Sequence, residues 1–188
     1  KYHYNHTPVA GLVKDFYEIP GGYQSCNPSF LMASAFPYAK NKRVVTIIDT
    51  DVPDGSHVGL VAMIEVVALM IGDILQCYSR TCYDQPCPIT PNLFLQQGQP
   101  KSLYRPGSST TILLFQQHRL QFAEDLVRNR GRFDVQSRFS QGLGRPLVET
   151  DVQVRSSLAL RQPRPSQTSL KQLYTRFTAT FPQRRTIL

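Results

Sequence analysis

The chain has 188 residues, of which 41% are hydrophobic, and this suits one domain with or without a tail. Its 11 glycines and 14 prolines are close to ordinary usage, which excludes a collagen-like or wholly disordered chain. The net charge of +8 is unevenly spread, because residues 119–188 hold 13 Lys and Arg against 5 Asp and Glu, and residues 152–188 hold 7 basic and no acidic side chains. The basic character therefore belongs to the C-terminal part.

The first strong secondary-structure signals are short β-branched and aliphatic runs. Residues 44–49, Val-Val-Thr-Ile-Ile-Asp, predict a strand, and Pro-Asp-Gly at 53–55 predicts a turn after it. The apolar runs 58–64 and 66–71 fit either buried strands or a buried helix, and a glycine near each outer end favours strands. Residues 110–115 predict a further buried strand.

The C-terminal third has a different pattern. Apolar residues recur at helical spacing between 120 and 130 and predict a helix there. Beyond residue 156 the chain consists mostly of Arg, Gln, Pro, Ser and Thr, which bury too little apolar surface to offset the entropy of ordering. We therefore predict a mainly β (α+β) fold with few helices and a basic, disordered tail at 156–188.

Neither a membrane span nor a metal site is predicted. The most apolar stretch, residues 60–74, is interrupted by Glu65 and Asp73 and is too short to cross a bilayer. No secretory signal opens the chain, so we expect a cytoplasmic protein or one peripheral to a membrane. The last three of the four cysteines lack the two-residue gap and the nearby histidine of a zinc site.

Two segments contain residue types that could carry chemistry. In Pro-Gly-Ser-Ser at 106–109, a tight turn precedes paired serines, and a serine hydroxyl can attack its own upstream carbonyl if a base accepts the proton. A hydroxyl-rich turn without a role is the alternative. In Tyr-His-Tyr-Asn-His-Thr-Pro at 2–8, His3 and His6 could act as bases, bind a metal, or lie on the surface without a role.

Together these segments resemble the phosphatidylserine decarboxylase family. The opening Tyr-His-x-x-His-x-Pro, followed by Val-x-Gly at 9–11, is similar to the entry motif of that family. Asn-Lys-Arg-Val at 41–44, Ile-Gly-Asp-Ile at 71–74, and Gly-Ser-Ser-Thr at 107–110 before a strand ending in Phe115 follow in family order. The resemblance covers roughly residues 1–122.

The resemblance implies a self-cleaving enzyme with a pyruvoyl group. In this family a serine attacks the preceding carbonyl, and elimination and hydrolysis leave a pyruvoyl group at the new N-terminus, where it serves as the electron sink for decarboxylation of an amine-bearing carboxylate. The family's reactive serine lies six residues before the phenylalanine, which is Ser109 here. Ser108 is the alternative, because the family's cleavage follows glycine and only Ser108 follows Gly107. Cleavage before Ser109 would give subunits 1–108 and 109–188 that remain partners.

The histidine roles are carried over by position in the motif. His6 matches the histidine that acts as base in self-cleavage, and His3 matches the one linked to proton handling in decarboxylation. The family's processing triad also includes an aspartate upstream of this motif, which the chain does not contain. Asp49 and Asp51 are alternatives for that role.

The resemblance predicts residues 1–155 as a phosphatidylserine decarboxylase-like catalytic domain without its N-terminal part. Phosphatidylserine is the family's commonest substrate. One competing hypothesis keeps the mechanism with a free, for example aromatic, amino acid as substrate, and another is a truncated homologue that does not process itself. A basic tail could contact an anionic membrane surface, whereas no nucleic-acid-binding motif is present.

Overall fold

A computed structural model describes residues 3–33, 37–69, 73–105 and 109–163 of the chain. Strands dominate these residues, and the prediction of a mainly β fold with few helices is confirmed. The strands are β1 (Tyr4–His6), β2 (Gly11–Ile19), β3 (Arg43–Asp49), β4 (Leu60–Val67), β5 (Asp73–Gln76), β6 (Phe94–Leu95), β7 (Pro100–Arg105), β8 (Ser109–Phe115), β9 (Leu120–Phe122) and β10 (Ala159–Arg161), and the helices are α1 (Pro28–Ala33), α2 (Pro37–Lys40), α3 (Glu124–Arg130) and α4 (Arg138–Leu143).

The largest element is a five-stranded antiparallel sheet with the strand order β6-β2-β3-β4-β8. The predicted strand at 44–49 is β3, and the predicted strand at 110–115 lies in β8. The two apolar runs around residue 65 contribute to a single strand, β4, with Glu65 near its centre. Because β4 has a strand on each side and is buried on both faces along its second half, its sequence lacks the polar alternation of a surface strand.

The hydrophobic core lies against this sheet. Ile48 of β3 and Val61 of β4 are fully buried and cluster with Val13, Leu95 and Tyr78. The Tyr78 hydroxyl forms a 3.0 Å hydrogen bond with the hydroxyl of Thr46, so the polar end of this ring is satisfied inside the core. Burial raises the pKa of Tyr78 well above its usual value.

A second, three-stranded antiparallel sheet has the order β1-β7-β5. It meets the β4–β8 edge of the large sheet through polar contacts that centre on Glu65, whose side chain is fully buried. One carboxylate oxygen of Glu65 accepts from Lys101 Nζ of β7 at 2.6 Å and from Gln76 Nε2 of β5 at 3.0 Å. The other oxygen accepts from Asn5 Nδ2 of β1 at 3.0 Å and from the Ser102 hydroxyl. One carboxylate of the large sheet therefore joins all three strands of the small sheet.

The Lys101 ammonium is fully buried as well and has two further contacts. It donates to the Gln76 side-chain oxygen at 2.9 Å, and its nitrogen lies 4.9 Å from the centre of the Tyr78 ring. Burial lowers the pKa of Lys101, whereas the adjacent Glu65 carboxylate acts in the opposite direction. A charge pair withdrawn this far from water is tolerated because each Glu65 carboxylate oxygen accepts two hydrogen bonds and the Lys101 ammonium donates two.

The predicted helix at 120–130 is wrong in its first turn. Residues 120–122 form β9, and the helix α3 begins at Glu124. The strand forms because β10 pairs with it, so a partner about 40 residues away in the chain overrides the local helical spacing. β10 also lies within the segment 156–188 that we predicted as a tail, but residues 164–188 are outside the described residues, so the domain boundary stays a prediction.

Among the described residues, no helix is both long enough and apolar enough to cross a bilayer.

We expect Gly11→Ala to destabilise the fold. Gly11 begins β2, and a Cβ atom there would overlap the carbonyl oxygen of Asp49 and lie 2.9 Å from Ile48 Cγ2. Overpacking of this kind costs about 1–3 kcal/mol of unfolding free energy, measurable by urea denaturation followed by circular dichroism. Gly22→Ala is the matched control because the space beside Gly22 is open, and equal stability of the two variants would contradict the prediction.

We expect Lys101→Met to destabilise the chain strongly, because it leaves the Glu65 carboxylate buried without its cation. The expected loss of unfolding free energy is roughly 3–5 kcal/mol, and adding Glu65→Leu should restore part of it. Urea denaturation of both variants measures the difference. Arg132→Met breaks an exposed ion pair with Asp134 and should change little. A Lys101→Met variant as stable as the parent would show that the pair contributes nothing.

Candidate active site

Ser109 is the first residue of β8 and is half-buried. It lies opposite Val67 at the end of β4. Side chains two residues apart on a strand share a face, so Ser109 shares its face with Thr111. The Thr111 hydroxyl donates to Asn5 Oδ1 of β1 at 3.0 Å. The face of β8 that carries Ser109 is therefore the one that meets β1, which directly follows His3 and ends at His6.

Tyr104 of β7 reinforces this meeting of strands. Its hydroxyl lies 3.1 Å from the Thr110 carbonyl oxygen and 3.0 Å from the Thr111 hydroxyl. The side chain is buried, and burial together with the charge of Glu65 raises the pKa of Tyr104 well above its usual value. Tyr104 therefore stays neutral near pH 7 and acts as a hydrogen-bonding group at the start of β8.

The structure brings His3 to the Ser109 end of β8. The Tyr104 backbone N–H donates to the His3 carbonyl oxygen at 3.0 Å, so His3 lies opposite Tyr104. Only three residues connect β7 to β8, so the Arg105 end of β7 lies at the Ser109 end of β8. His3 Nε2 is buried, and among the described residues no group hydrogen-bonds to it. A buried nitrogen in this position can exchange a proton or a hydrogen bond with a reacting group.

His6 lies at the other end of β1. It pairs with Pro100 at the start of β7, after an irregularity in the register that follows Asn5. Its Nδ1 lies 3.2 Å from the Tyr83 hydroxyl, and that hydroxyl donates to the Asn5 carbonyl oxygen at 2.8 Å. His6 thus contacts Tyr83, and the base role of His6 toward Ser109 stays a prediction.

On the opposite face of β8, the hydroxyl of Tyr38 hydrogen-bonds to the Thr110 side chain, and burial raises the pKa of Tyr38. Nearby, the fully buried Asn41 amide donates to the Val67 carbonyl oxygen at 2.8 Å and to the Gln24 carbonyl oxygen at 2.8 Å. Asn41 opens the Asn-Lys-Arg-Val motif, and this contact gives the motif a structural reason, since it fixes the residue that lies opposite Ser109.

The remaining candidates that the sequence indicated are Gly107, Ser108, Asp49 and Asp51. Gly107 and Ser108 are outside the described residues, so the choice between Ser108 and Ser109 stays a prediction. Asp49 lies 4.0 Å from the Lys14 ammonium, and Asp51 forms an ion pair with Arg119, so each has a cation of its own. Neither contact points to a role beside a histidine.

Five polar residues that lie on or around β1 were not among the candidates that the sequence indicated. These are Asn5, Glu65, Tyr83, Lys101 and Tyr104. Glu65 and Lys101 carry a signal in hindsight, because each is a charged residue inside a strand that is otherwise largely buried. Tyr83 carries none, since an aromatic residue in a 17-residue connection between β5 and β6 has no pattern that marks it.

Ser109 and its surroundings fit the precursor of a pyruvoyl group. The serine begins a strand, its face meets β1, and the orphaned His3 Nε2 is buried at the same end. Within the described ranges, no group of three or more His, Cys, Asp or Glu side chains could hold a metal ion. The geometry thus offers a hydroxyl, imidazole nitrogens and neutral hydrogen-bonding groups.

Comparisons with known proteins agree with this chemistry. The family model described as phosphatidylserine decarboxylase matches residues 1–144. Relatives named phosphatidylserine decarboxylase proenzyme include one from Chlamydia trachomatis serovar L2, 32% identical over 145 residues, and one from Chlamydia muridarum, 30% identical over 145 residues. A third, from Desulfitobacterium hafniense, is 30% identical over 126 residues.

These matches cover a larger share of this chain than of the relatives. The matches to the two Chlamydia proteins cover 77% of this chain but 43% of each relative, and the third covers 67% of this chain and 37% of the relative. This chain therefore spans less than half the length of these relatives. No solved structure matches it. Because the family model covers most of the chain, from the histidine motif past the end of β8, the chain belongs to the phosphatidylserine decarboxylase family.

Proposed function

We propose that this chain is the catalytic part of a pyruvoyl-dependent decarboxylase that matures by self-cleavage before Ser109 and converts phosphatidylserine to phosphatidylethanolamine and carbon dioxide. The observation that carries the proposal is the position of Ser109 at the start of β8, on the face that meets β1. Family membership supports the same reaction, since the similar proteins are named proenzymes.

Self-cleavage needs a nucleophile and a proton acceptor. Ser109 Oγ bonds to the carbonyl carbon of residue 108 as its proton moves to an imidazole nitrogen, and the proton passes to the Ser109 nitrogen when the carbon–nitrogen bond breaks. The products of this step are an ester and an amine. Thr111 and Asn5 support it by holding β8 against β1 through their 3.0 Å hydrogen bond.

The pyruvoyl group, once formed at residue 109, supplies an electron sink for loss of carbon dioxide. In this proposal the neighbouring residues bind and orient. Buried His3 Nε2 exchanges a proton with the reacting carbon, consistent with its burial at this end of the site. The neutral Tyr104 hydroxyl donates its hydrogen bond to the Thr110 carbonyl oxygen, so it holds the start of β8 without adding a charge that would compete with the substrate carboxylate.

Charge supports a lipid substrate. Residues 152–188 hold seven basic and no acidic side chains, and a basic segment is attracted to a surface of anionic lipid. Phosphatidylserine is itself anionic, so the same attraction would hold the chain where its substrate is concentrated. This feature favours the phospholipid over a free amino acid.

We expect Ser109→Ala to abolish self-cleavage completely, because the nucleophile is lost. Intact mass measured under denaturing, reducing conditions should show two fragments for the parent chain and one uncut chain for the variant. The fragment that begins at residue 109 should resist N-terminal sequencing, because a pyruvoyl group has no amine. Ser108→Ala is the matched control and should still cleave. Cleavage of Ser109→Ala with failure of Ser108→Ala would move the reactive serine by one residue.

We expect the cleaved chain to release carbon dioxide from phosphatidylserine vesicles and not from tyrosine or phenylalanine in solution. Trapping of labelled carbon dioxide measures both reactions, with Ser109→Ala as the inactive control. Release from the free amino acids without release from vesicles would overturn the lipid substrate while leaving the mechanism in place. No release from any of them by a cleaved chain would overturn the proposed decarboxylase activity of this chain.

A further inference from the structure

Tyr83 contacts both the side chain of His6 and the main chain just before it. The Tyr83 hydroxyl donates to the Asn5 carbonyl oxygen at 2.8 Å and lies 3.2 Å from His6 Nδ1. The rings of Tyr83 and His6 meet edge to face with centres 5.9 Å apart. A single phenol thus spans the peptide and the imidazole of the second motif histidine.

The proton count at this contact decides the tautomer of His6. A tyrosine hydroxyl has one proton, and the Asn5 carbonyl oxygen can only accept. Because Tyr83 donates that proton to Asn5, its oxygen is the acceptor toward His6, so His6 Nδ1 carries a hydrogen and donates it. In a neutral imidazole with hydrogen on Nδ1, the lone pair that accepts a proton is on Nε2.

Tyr83 is held in place by its surroundings. Its ring packs edge to face on Tyr4 at 4.7 Å, on the other side of Asn5 from His6. The segment that carries it is tied by the Ser79 hydroxyl, which accepts from the N–H groups of Thr81 and Cys82 at 3.2 and 3.3 Å. The phenol is therefore a fixed partner for the imidazole.

We propose that Tyr83 is a positioning residue that holds His6 in the tautomer with hydrogen on Nδ1, which leaves Nε2 as its proton acceptor. The consequence for self-cleavage rests on the proposed function, in which an imidazole nitrogen accepts the Ser109 hydroxyl proton. Tyr83 orients the imidazole and touches no reacting atom. Free histidine prefers hydrogen on Nε2, so without Tyr83 the accepting nitrogen would change.

The first measurement determines the tautomer of His6 directly, without any measurement of activity. Two-bond nitrogen–proton NMR spectra of the ¹⁵N-labelled Ser109→Ala chain, recorded at about pH 8.5 where an ordinary imidazole is neutral, distinguish the two tautomers. His6→Gln identifies the His6 signals by their loss. We expect hydrogen on Nδ1 of His6, and we expect Tyr83→Phe to shift His6 toward hydrogen on Nε2. Tyr17→Phe, at an exposed position on β2, is the matched control and should not shift it.

The second measurement follows self-cleavage of the chain with Ser109 intact. We expect Tyr83→Phe to slow cleavage about tenfold to a hundredfold, the range for loss of a partner that orients a functional imidazole at metal sites, and Tyr17→Phe to leave the rate unchanged. Hydrogen on Nε2 in the parent, or an unchanged tautomer in Tyr83→Phe, would overturn the proposal. A shifted tautomer with unchanged cleavage would also overturn the positioning role. If the parent does not cleave, the proposed self-cleavage of this chain fails, and the NMR result still decides the tautomer.

Discussion

The arrangement of this site depends on one buried carboxylate. Glu65 stands near the centre of a strand that is otherwise apolar, and it accepts hydrogen bonds from side chains on β1, β5 and β7. An ionised group there is costly unless it is fully paired, and Lys101 with the surrounding amides and hydroxyls provides that pairing. Because the donors come from three strands, the carboxylate is satisfied only when the small sheet lies in register against the large one. The requirement to satisfy one charge therefore fixes how the two sheets meet.

The same requirement determines where β1 lies. Asn5 donates to Glu65 on one side and accepts from Thr111 on the other, so it connects the buried charge to the strand that begins with Ser109. His3 precedes this asparagine by two residues, just before β1, and His6 follows it directly, after the irregularity in the register of β1. The two histidines of one motif therefore have different surroundings, with the half-buried His3 beside Tyr104 and His6 against Tyr83. One motif thus supplies two imidazoles that can serve different steps.

The far side of β8 is fixed by neutral groups. Asn41 holds the Val67 carbonyl oxygen, and Tyr38 hydrogen-bonds to Thr110, so the first residues of β8 are held from both faces of the sheet. In the self-cleavage that we propose, a nucleophile attacking its own backbone gains from this, since reaction within a fixed geometry avoids the entropy cost of bringing the groups together. The fixed surroundings of Ser109 and the positive charge of the C-terminal segment are separate features. The first suits the proposed self-cleavage, and the second suits a lipid surface.

The sequence by itself determined the mainly β class, the order of the motifs and the family, because β-branched runs, turn residues and motif spacing are local properties of the chain. It identified β3 and β8 closely, and it identified Ser109, His3 and His6 as candidates. Only the tertiary structure decided that residues 120–122 are a strand, because their partner β10 is distant in the chain. It alone also decided the burial of His3 Nε2 and the contact of Tyr83 with His6, since side chains separated by some 77 residues carry no shared pattern in the sequence. Local pattern predicts elements, whereas the pairing of buried polar groups, which must all be satisfied at once, is a property of the assembled fold.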